Sequence, residues 1–137
     1  AAGSVLAAAS LAARCQVFVA EPAGAADTAT SLARGERVTD FVPDTICDGL
    51  RGTLGAPNFA VLRQHDVHAL VVDDSETIAA MRLLRSRMKQ LVEPSSATAL
   101  AAVLRYRDQF AGRRVGVILS GGNVDLDALP VLFAAGG

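Results

Sequence analysis

Three short runs of mostly apolar residues stand out along the chain, at residues 16–20, 67–72 and 114–119. The second and third runs are almost continuously apolar, as is typical of strands buried on both faces of a parallel sheet. Segments with helical spacing of apolar positions separate the three runs. The pattern therefore predicts the α/β class, with a mainly parallel sheet between two layers of helices, in three layers.

Four segments carry the helical pattern, and they cover residues 4–14, a short stretch from about residue 27, residues 74–88 and residues 95–110. Asp73 and Glu76 have the spacing of a capping box at the start of the third segment. Ser95 and Ser96 directly follow Pro94 and are candidates to cap the fourth segment. Helices of this length between strands agree with βαβ units and a parallel sheet.

The composition is that of a globular domain, with 137 residues, 51% hydrophobic and 20% charged residues, and a net charge of -1. This apolar fraction excludes a disordered tail, and the near-neutral charge predicts neither a nucleic-acid nor an anionic-membrane partner. No apolar run approaches the ~18 residues that a membrane span needs. We expect a soluble, cytoplasmic protein. A sheet of only three strands with open edges indicates that residues 1–137 form a single partial domain.

Two cysteines and two histidines carry no recognisable metal spacing. Cys15 and Cys47 border apolar stretches, so we expect buried free thiols rather than a disulfide. His65 and His68 have no acid or thiol spaced to join them and are expected to be ordinary surface or boundary residues. The basic residues near the end of the third helical segment are expected to form its solvated face: Arg82, Arg85, Arg87 and Lys89.

The third predicted strand leads directly into Ser120, Gly121 and Gly122. A serine at the carboxyl end of a buried parallel strand lies where open α/β sheets bind their ligands. The two glycines allow a tight turn and a close approach of the backbone to a ligand. A plain strand-to-helix turn is the alternative interpretation of the same residues.

Two further loops contain acidic residues at predicted element ends. Glu21 and Asp27 flank a Gly/Ala turn after the first predicted strand. Two carboxylates and an inward-facing carbonyl suit a hard divalent cation, but Asp27 is equally suited to cap the next helix. Glu93 precedes the fourth helical segment, where a negative charge is favourable to the helix dipole by itself. Residues 44–51 form a short helix or turn with no chemical signature of their own.

Four segments, taken in order, carry a family resemblance: Glu21-Pro22 with Asp27 six residues on, Thr45-Ile46-x-Asp48-Gly49, Arg87-Met88-Lys89-x-Leu91-Val92-Glu93-Pro94, and Leu119-Ser120-Gly121-Gly122-Asn123-Val124-Asp125. Together they resemble the serine racemase and threonine dehydratase family of fold-type II enzymes, which depend on pyridoxal phosphate. The resemblance covers essentially the whole chain. It implies the C-terminal part of the large catalytic domain.

The resemblance implies a cofactor-binding role for four residues. Ser120 would hydrogen-bond the pyridine nitrogen of pyridoxal phosphate, and Gly49, Glu93 and Gly121 would lie close to the ring. A neutral hydroxyl does not hold the nitrogen protonated, so the ring is a weaker electron sink than with a carboxylate partner. Removal of the α-proton followed by loss of a β-hydroxyl then suits the site better than transamination.

The resemblance also implies a metal site in the first loop. Glu21, Asp27 and the carbonyl of Ala25 would bind Mg²⁺ or Ca²⁺, as in the metal-activated members of the family. Such a metal would brace loops and tune activity without attacking the substrate. Around Pro57 and Asn58 the sequence departs from the racemases, so no ligand is assigned there.

Other departures concern the catalytic centre. The only lysine, Lys89, matches the helix-to-loop segment of the family and not its Schiff-base lysine. The glycine-rich phosphate loop of the family would lie before Ala1, and Cys47 stands where alanine is common. The sequence alone therefore predicts a fragment that cannot complete the Schiff-base chemistry by itself.

The parent protein is expected to be a lyase that converts serine, threonine or 3-hydroxyaspartate to an α-keto acid and ammonia, with a small amino acid as its substrate. Serine racemisation is the alternative within the same enzyme class. A non-catalytic module that pairs with an intact enzyme is the alternative from a different class. Because members of the family dimerise through the large domain, the resemblance also implies a homodimer.

Overall fold

Two parallel strands lie at the centre of the computed structural model, which describes residues 1–135. Strand β1 spans Phe18–Pro22 and strand β2 spans His68–Val72, with Phe18 opposite His68 and Pro22 opposite Val72. The carboxyl ends of the two strands therefore lie at the same edge of the sheet, where open α/β sheets place their ligands.

Helices make up the rest of the regular secondary structure in the described chain. In order they are α1 (Ala2–Leu11), α2 (Asp27–Arg34), α3 (Ala56–Gln64), α4 (Asp74–Leu83), α5 (Pro94–Arg105), α6 (Arg107–Phe110) and α7 (Leu129–Ala135). Short 3₁₀ turns cover Ala23–Ala25 and Asp48–Leu50, and a π-helical turn covers Leu84–Met88 directly after α4. No helix within residues 1–135 is long and apolar enough to cross a membrane.

The sheet is covered by apolar side chains on both faces. Phe18 and Ala20 contact a core that contains residues of β2, α4 and α5, whereas Val17 and Val19 contact a second core built on α1 and α3. This alternation is expected because successive side chains of a strand point to opposite faces. Helices on both sides of a parallel sheet confirm the predicted α/β class.

The third predicted strand is wrong as a strand. Residues 114–119 have no strand assignment, because no segment within residues 1–135 lies beside them to complete a hydrogen-bonded ladder. Val115 and Ile118 remain 41% and 68% exposed, while Leu119 packs against the core of α4 and α5. An apolar run indicates that a segment can be buried as a strand. The segment forms strand hydrogen bonds only where a neighbouring strand is present.

Helix α4 begins as predicted. Asp73 is its N-cap, and the capping box with Glu76 is present in both directions. The regular α-helix ends at Leu83, earlier than the predicted 88, because the following turn, Leu84–Met88, is π-helical. Lys89 caps this turn with a φ of 58°. A left-handed backbone is a common way to terminate a helix.

Helix α5 begins differently from the prediction. Its N-cap is Glu93, and Pro94 occupies the first turn, where its missing N–H costs nothing. Ser95 and Ser96 therefore lie inside the helix and do not cap it. Their hydroxyl groups are free to reach other segments.

The predictions for the cysteines, histidines and basic residues are confirmed only in part. Both cysteines are free, and Cys47 is buried as predicted, but Cys15 is exposed in the connection between α1 and β1. His65 and His68 are exposed, as predicted. The guanidinium groups of the α4 end do more than face solvent: those of Arg82 and Arg85 lie 5.8 and 5.6 Å from the centre of the Phe133 ring of α7.

Candidate functional site

The carboxyl edge of the sheet gathers acidic residues from two strand ends. Glu21 is the fourth residue of β1, and Asp73 and Asp74 directly follow β2. Helix α5 contacts both strands, and Arg105 at its C-terminal end pairs with Asp73 at 3.2 Å. Among the sequence-predicted site residues, Glu21 lies in β1, Ala25 in the 3₁₀ turn that follows, and Asp27 in the first turn of α2.

Glu93 and Gly121 are in direct contact. The amide of Glu93 donates to the carbonyl of Gly121 at 3.3 Å, which joins the start of α5 to the glycine loop. A Cβ atom at position 121 would overlap the carboxylate of Glu93. The absence of a side chain at position 121 thus lets the Glu93 carboxylate lie against the loop backbone.

The two serines of α5 connect the same helix end to two loops. The amide of Gly49 donates to Ser95 Oγ at 3.0 Å, and the amide of Gly121 donates to Ser96 Oγ at 3.4 Å. The structure thus brings Gly49, Gly121 and Glu93 together around the first turn of one helix, although they are up to 72 residues apart in sequence.

Ser120 precedes this contact and is exposed. Its hydroxyl forms no hydrogen bond within residues 1–135 and is therefore able to bind a ligand atom. Two glycines with closely packed neighbours, a nearby carboxylate and a free hydroxyl can accommodate a flat heteroaromatic ring. The residues present fit pyridoxal phosphate in this respect.

Glu21 and Asp27 are both buried, and each binds backbone N–H groups. The two oxygens of Glu21 accept from the amides of Thr28 and Ala29 at 3.2 and 2.9 Å, at the start of α2. Oδ2 of Asp27 accepts from the amide of Leu54 at 2.7 Å. The alternative that Asp27 caps α2 is wrong, because Asp27 is the first helical residue and Glu21 binds the free N–H groups.

Glu21 and Asp27 are two buried acidic groups whose negative charges repel each other, and a bound cation would reduce this repulsion. Burial is the main cause that raises the pKa of Glu21, and the nearby negative charge of Asp27 raises it further. Residues 1–135 contain no group of three or more His, Cys, Asp and Glu side chains that could hold a metal ion. The predicted metal site needs only two acidic side chains, because its third ligand is the backbone carbonyl of the buried Ala25. Hard oxygen donors of this kind fit Mg²⁺ or Ca²⁺.

The sequence interpretation missed Asp74, which binds the loop before Gly49. Its carboxylate accepts from Thr45 Oγ1 and from the amide of Ile46 at 2.5 and 2.9 Å. The helical pattern of residues 74–88 places Asp74 only at the start of a helix. Contacts over 28 residues of sequence leave no periodic signal, so spacing alone could not have found them.

Lys89 lies apart from the residues proposed to bind the cofactor. Its ammonium group donates to the carbonyl of Ser86 at 2.7 Å, at the end of the π-helical turn. It lines an open cavity of about 820 Å³ together with Arg82, Arg85 and Phe133. None of Gly49, Glu93, Ser120 and Gly121 lines this cavity.

Comparison with known proteins gives the family. Residues 1–121 match the family described as pyridoxal-phosphate dependent enzyme. Serine racemase of Dictyostelium discoideum is 43% identical over 131 residues, which cover 93% of the chain and 40% of the racemase. L-threo-3-hydroxyaspartate ammonia-lyase of Saccharomyces cerevisiae is 38% identical over 133 residues, which cover 96% of the chain and 41% of the lyase.

The fold has the same relatives. The structure of maize serine racemase superposes with a TM-score of 0.87 at 37% identity and covers 98% of the chain. The chain covers 42% of that structure, so it spans less than half the length of the proteins that it matches. On the extent of the family match and the agreement of the fold, the chain belongs to the pyridoxal-phosphate dependent enzyme family.

Proposed function

We propose that the chain forms part of an enzyme that uses pyridoxal phosphate to eliminate the β-hydroxyl group of serine, threonine or 3-hydroxyaspartate. The products are an α-keto acid and ammonia. The observation that carries the proposal is the free, exposed hydroxyl of Ser120 beside the contact of Gly121 with Glu93. The yeast relative, named as a 3-hydroxyaspartate ammonia-lyase, supports this substrate class.

Ser120 determines how strongly the proposed cofactor withdraws electrons. When bound, pyridoxal phosphate delocalises the electron pair that remains after the α-proton of the substrate is removed. The Ser120 hydroxyl would donate a hydrogen bond to the ring nitrogen and, being neutral, would not hold this nitrogen protonated. A moderate electron sink favours loss of the β-hydroxyl over transfer of the amino group.

Gly49 and Glu93 are proposed to orient the ring. Gly49 presents its backbone beside Ser95, where a side chain would press on Ser95 Oγ at 3.0 Å. Glu93 lies against Gly121 and so faces the same loop from the helix side. The backbone of Gly49 and the side chain of Glu93 would then border a planar ligand from two sides.

We further propose that residues 1–137 are the C-terminal part of a large domain whose reactive lysine lies elsewhere in the protein. The only lysine of this chain is bound to the Ser86 carbonyl and lines a different cavity. On this proposal, the cofactor-linking amine and the phosphate-binding loop belong to other parts of the protein.

The cofactor proposal is tested on the full-length holoenzyme by its visible absorbance spectrum. Ser120→Ala should shift the bound-cofactor band and lower the rate of elimination by about 100-fold, because one orienting and electronic contact is lost. Ser10→Ala, in an exposed position of α1, is the matched control and should leave both unchanged. An unaltered spectrum in Ser120→Ala would remove the role of Ser120.

We also propose that Glu21, Asp27 and the Ala25 carbonyl bind Mg²⁺ or Ca²⁺. Each carboxylate keeps lone pairs beyond those that accept from Thr28, Ala29 and Leu54. A divalent cation would offset the repulsion between two buried acids and fix the turn between β1 and α2. Its role is to brace this turn, and no reaction step passes through it.

Metal binding is tested on the full-length protein by thermal unfolding with added MgCl₂ or CaCl₂. A ligand that binds only the folded state raises the midpoint as its concentration exceeds the Kd. Glu21→Ala and Asp27→Asn should abolish the rise, whereas Glu36→Ala, an exposed glutamate, should keep it. An unchanged wild-type midpoint with both cations would contradict the site.

Serine racemisation is the second candidate, favoured by the similarity to the Dictyostelium and maize racemases. Incubation of the full-length enzyme with L-serine separates the two reactions. Elimination yields pyruvate and ammonia, whereas racemisation yields D-serine. We expect the α-keto acid to be the main product.

A non-catalytic module that pairs with an intact enzyme is the candidate from a different class, and the absence of a suitably placed lysine in this chain favours it. A reading frame that continues upstream of Ala1 into a glycine-rich loop and a lysine would exclude the module. For the intact enzyme we propose a cytoplasmic homodimer that acts on a small amino acid. Sedimentation of the full-length protein measures whether it is a dimer.

A further inference from the structure

Asp74 joins the end of β2 to a loop that lies far from it in sequence. It is the first residue of α4, directly after the N-cap Asp73. One carboxylate oxygen accepts from Thr45 Oγ1 at 2.5 Å and the other accepts from the amide of Ile46 at 2.9 Å. A carboxylate in the first turn of a helix is also favoured by the helix dipole, so its negative charge is stabilised there.

The loop segment that Asp74 holds is fixed from its other sides as well. Thr45 Oγ1 accepts from the amide of Cys47 at 3.1 Å, while the Thr45 carbonyl accepts from Arg51 Nε and Nη2 at 3.1 and 2.6 Å. Both the side chain and the backbone of Thr45 are therefore bound. Gly49 follows Cys47 by two residues and donates to Ser95 Oγ.

Cys47 closes the rear of the loop. It is fully buried, its Sγ lies 3.3 Å from Thr98 Oγ1 of α5, and Thr98 itself donates to the Pro94 carbonyl at 3.1 Å. Thr77 of α4 is also fully buried, and its Oγ1 has no hydrogen-bond partner in the described chain. Any outward movement of the loop would therefore expose Cys47.

From these contacts we infer that Asp74 is a positioning residue that holds residues 45–47 and thereby sets the position of Gly49 against the cofactor. The part of this inference that concerns the cofactor rests on the proposed function. The part that concerns the loop rests only on contacts among residues 45–98 and stands independently of it.

The loop part is tested on the cofactor-free full-length protein with a thiol reagent, and peptide mass spectrometry follows the labelling of each cysteine. Exposed Cys15 reports that the reagent is active, whereas buried Cys47 reports opening of the loop. Asp74→Ala removes two hydrogen bonds to a charged group, so labelling of Cys47 should become at least about tenfold faster. Asp74→Asn keeps one good acceptor and should give a smaller increase.

Asp73→Ala is the matched control. It weakens the cap of the same helix at the neighbouring position but leaves the contacts with Thr45 and Ile46 in place. Thr45→Val removes the hydroxyl that donates to Asp74 and should increase Cys47 labelling as much as Asp74→Asn does. These two variants decide the test if Asp74→Ala does not fold. Equal Cys47 labelling rates in the folded wild type, Asp74→Asn and Thr45→Val would overturn the inference.

The cofactor part is tested by dissociation of pyridoxal phosphate from the full-length holoenzyme. Asp74→Ala should release it at least about tenfold faster, and Asp73→Ala should not. If the wild type binds no pyridoxal phosphate, the proposed function fails while the labelling result still decides the loop. If Cys47 becomes accessible in Asp74→Ala and cofactor release stays at the wild-type rate, the link from the clamp to the cofactor is overturned.

Discussion

Gly24 lies in the turn of the proposed metal site and sets the distance between this turn and the loop that contains Asp44. Its carbonyl accepts from the amide of Asp44 at 2.8 Å, and a Cβ atom at position 24 would overlap the Asp44 carbonyl oxygen. That atom belongs to the backbone and cannot rotate away, in contrast to the flexible Glu93 carboxylate beside Gly121. Close approach of backbone to backbone is thus the reason for glycine at this turn.

Gly24→Ala should lower the free energy of unfolding by about 2 kcal/mol or more, because one of the two loops has to move. Gly52→Ala is the control, since a Cβ there meets nothing within 4 Å, and it should change the value by less than about 0.5 kcal/mol. Urea unfolding followed by circular dichroism measures both. Equal stabilities of the two variants would show that the loops separate freely.

Cys47 gives the protein a pH dependence in the alkaline range. Burial is the main cause that raises the pKa of its thiol above the ordinary value of 9.0. Above pH 9 the unfolded chain releases this proton while the folded chain retains it, so the free energy of unfolding falls as the pH rises. Unfolding titrations between pH 8 and about 10.5 should show a shallower fall in Cys47→Ala.

Cys15→Ala serves as the comparison for that experiment, because Cys15 is exposed in the connection before β1. This variant should follow the wild-type curve across the alkaline range. Parallel curves for wild type and Cys47→Ala would contradict the raised pKa of Cys47.

At the scale of elements, local signals were predictive and contacts between elements were not. The capping box of Asp73 and Glu76 and the buried run of β2 follow from residues adjacent in sequence, and the structure has both. Helix α3 was missed because only Leu62 of its residues is buried, so its apolar spacing is weak, although Pro57 in its first turn is a typical start signal. Helix α7 at the chain's end was missed as well.

In the candidate site, too, local sequence motifs identify residues, whereas contacts between distant segments cannot be predicted from them. Gly121, Glu93 and Ser120 could be named from motifs, because each motif is a short continuous segment. Their assembly around α5 through Ser95 and Ser96, and the clamp by Asp74, depend on how distant segments pack. Spacing within a segment carries no information about such packing.

The cap of α4 can be measured directly. Asp73→Ala removes an N-cap acceptor and should lower the free energy of unfolding by about 1 kcal/mol. Part of the loss should shrink at high salt, because the Asp73 carboxylate also pairs with the exposed Arg105 guanidinium at 3.2 Å. Asp108→Ala, on the exposed surface of α6, should be near neutral in the same urea titration. A cost for Asp73→Ala no greater than that for Asp108→Ala would exclude the cap as a source of stability.

At the scale of the whole molecule, residues 114–119 present apolar side chains and unpaired backbone within the described chain. Segments of this kind tend to pair with other chains. We expect the 137-residue chain to self-associate as its concentration rises, and Ile118→Asp to reduce this association. Sedimentation velocity over a concentration series measures it.

Val131→Asp is the control for that series, since Val131 is also apolar and 74% exposed but lies on helix α7. It adds the same charge without changing the strand-like segment. If both variants reduce association equally, net charge and not strand pairing governs it.

The parallel register of β1 and β2 has a consequence for the order of folding. Phe18 pairs with His68, so the sheet joins residues about 50 positions apart and its loop closure is costly in chain entropy. Helices α4 and α5 are close in sequence and pack against each other, so their contacts form at lower cost. We therefore expect substitutions at the α4–α5 contact, such as Met81→Ala, to slow refolding. Substitutions in the sheet, such as Val72→Ala, should mainly speed unfolding, and stopped-flow kinetics would separate the two.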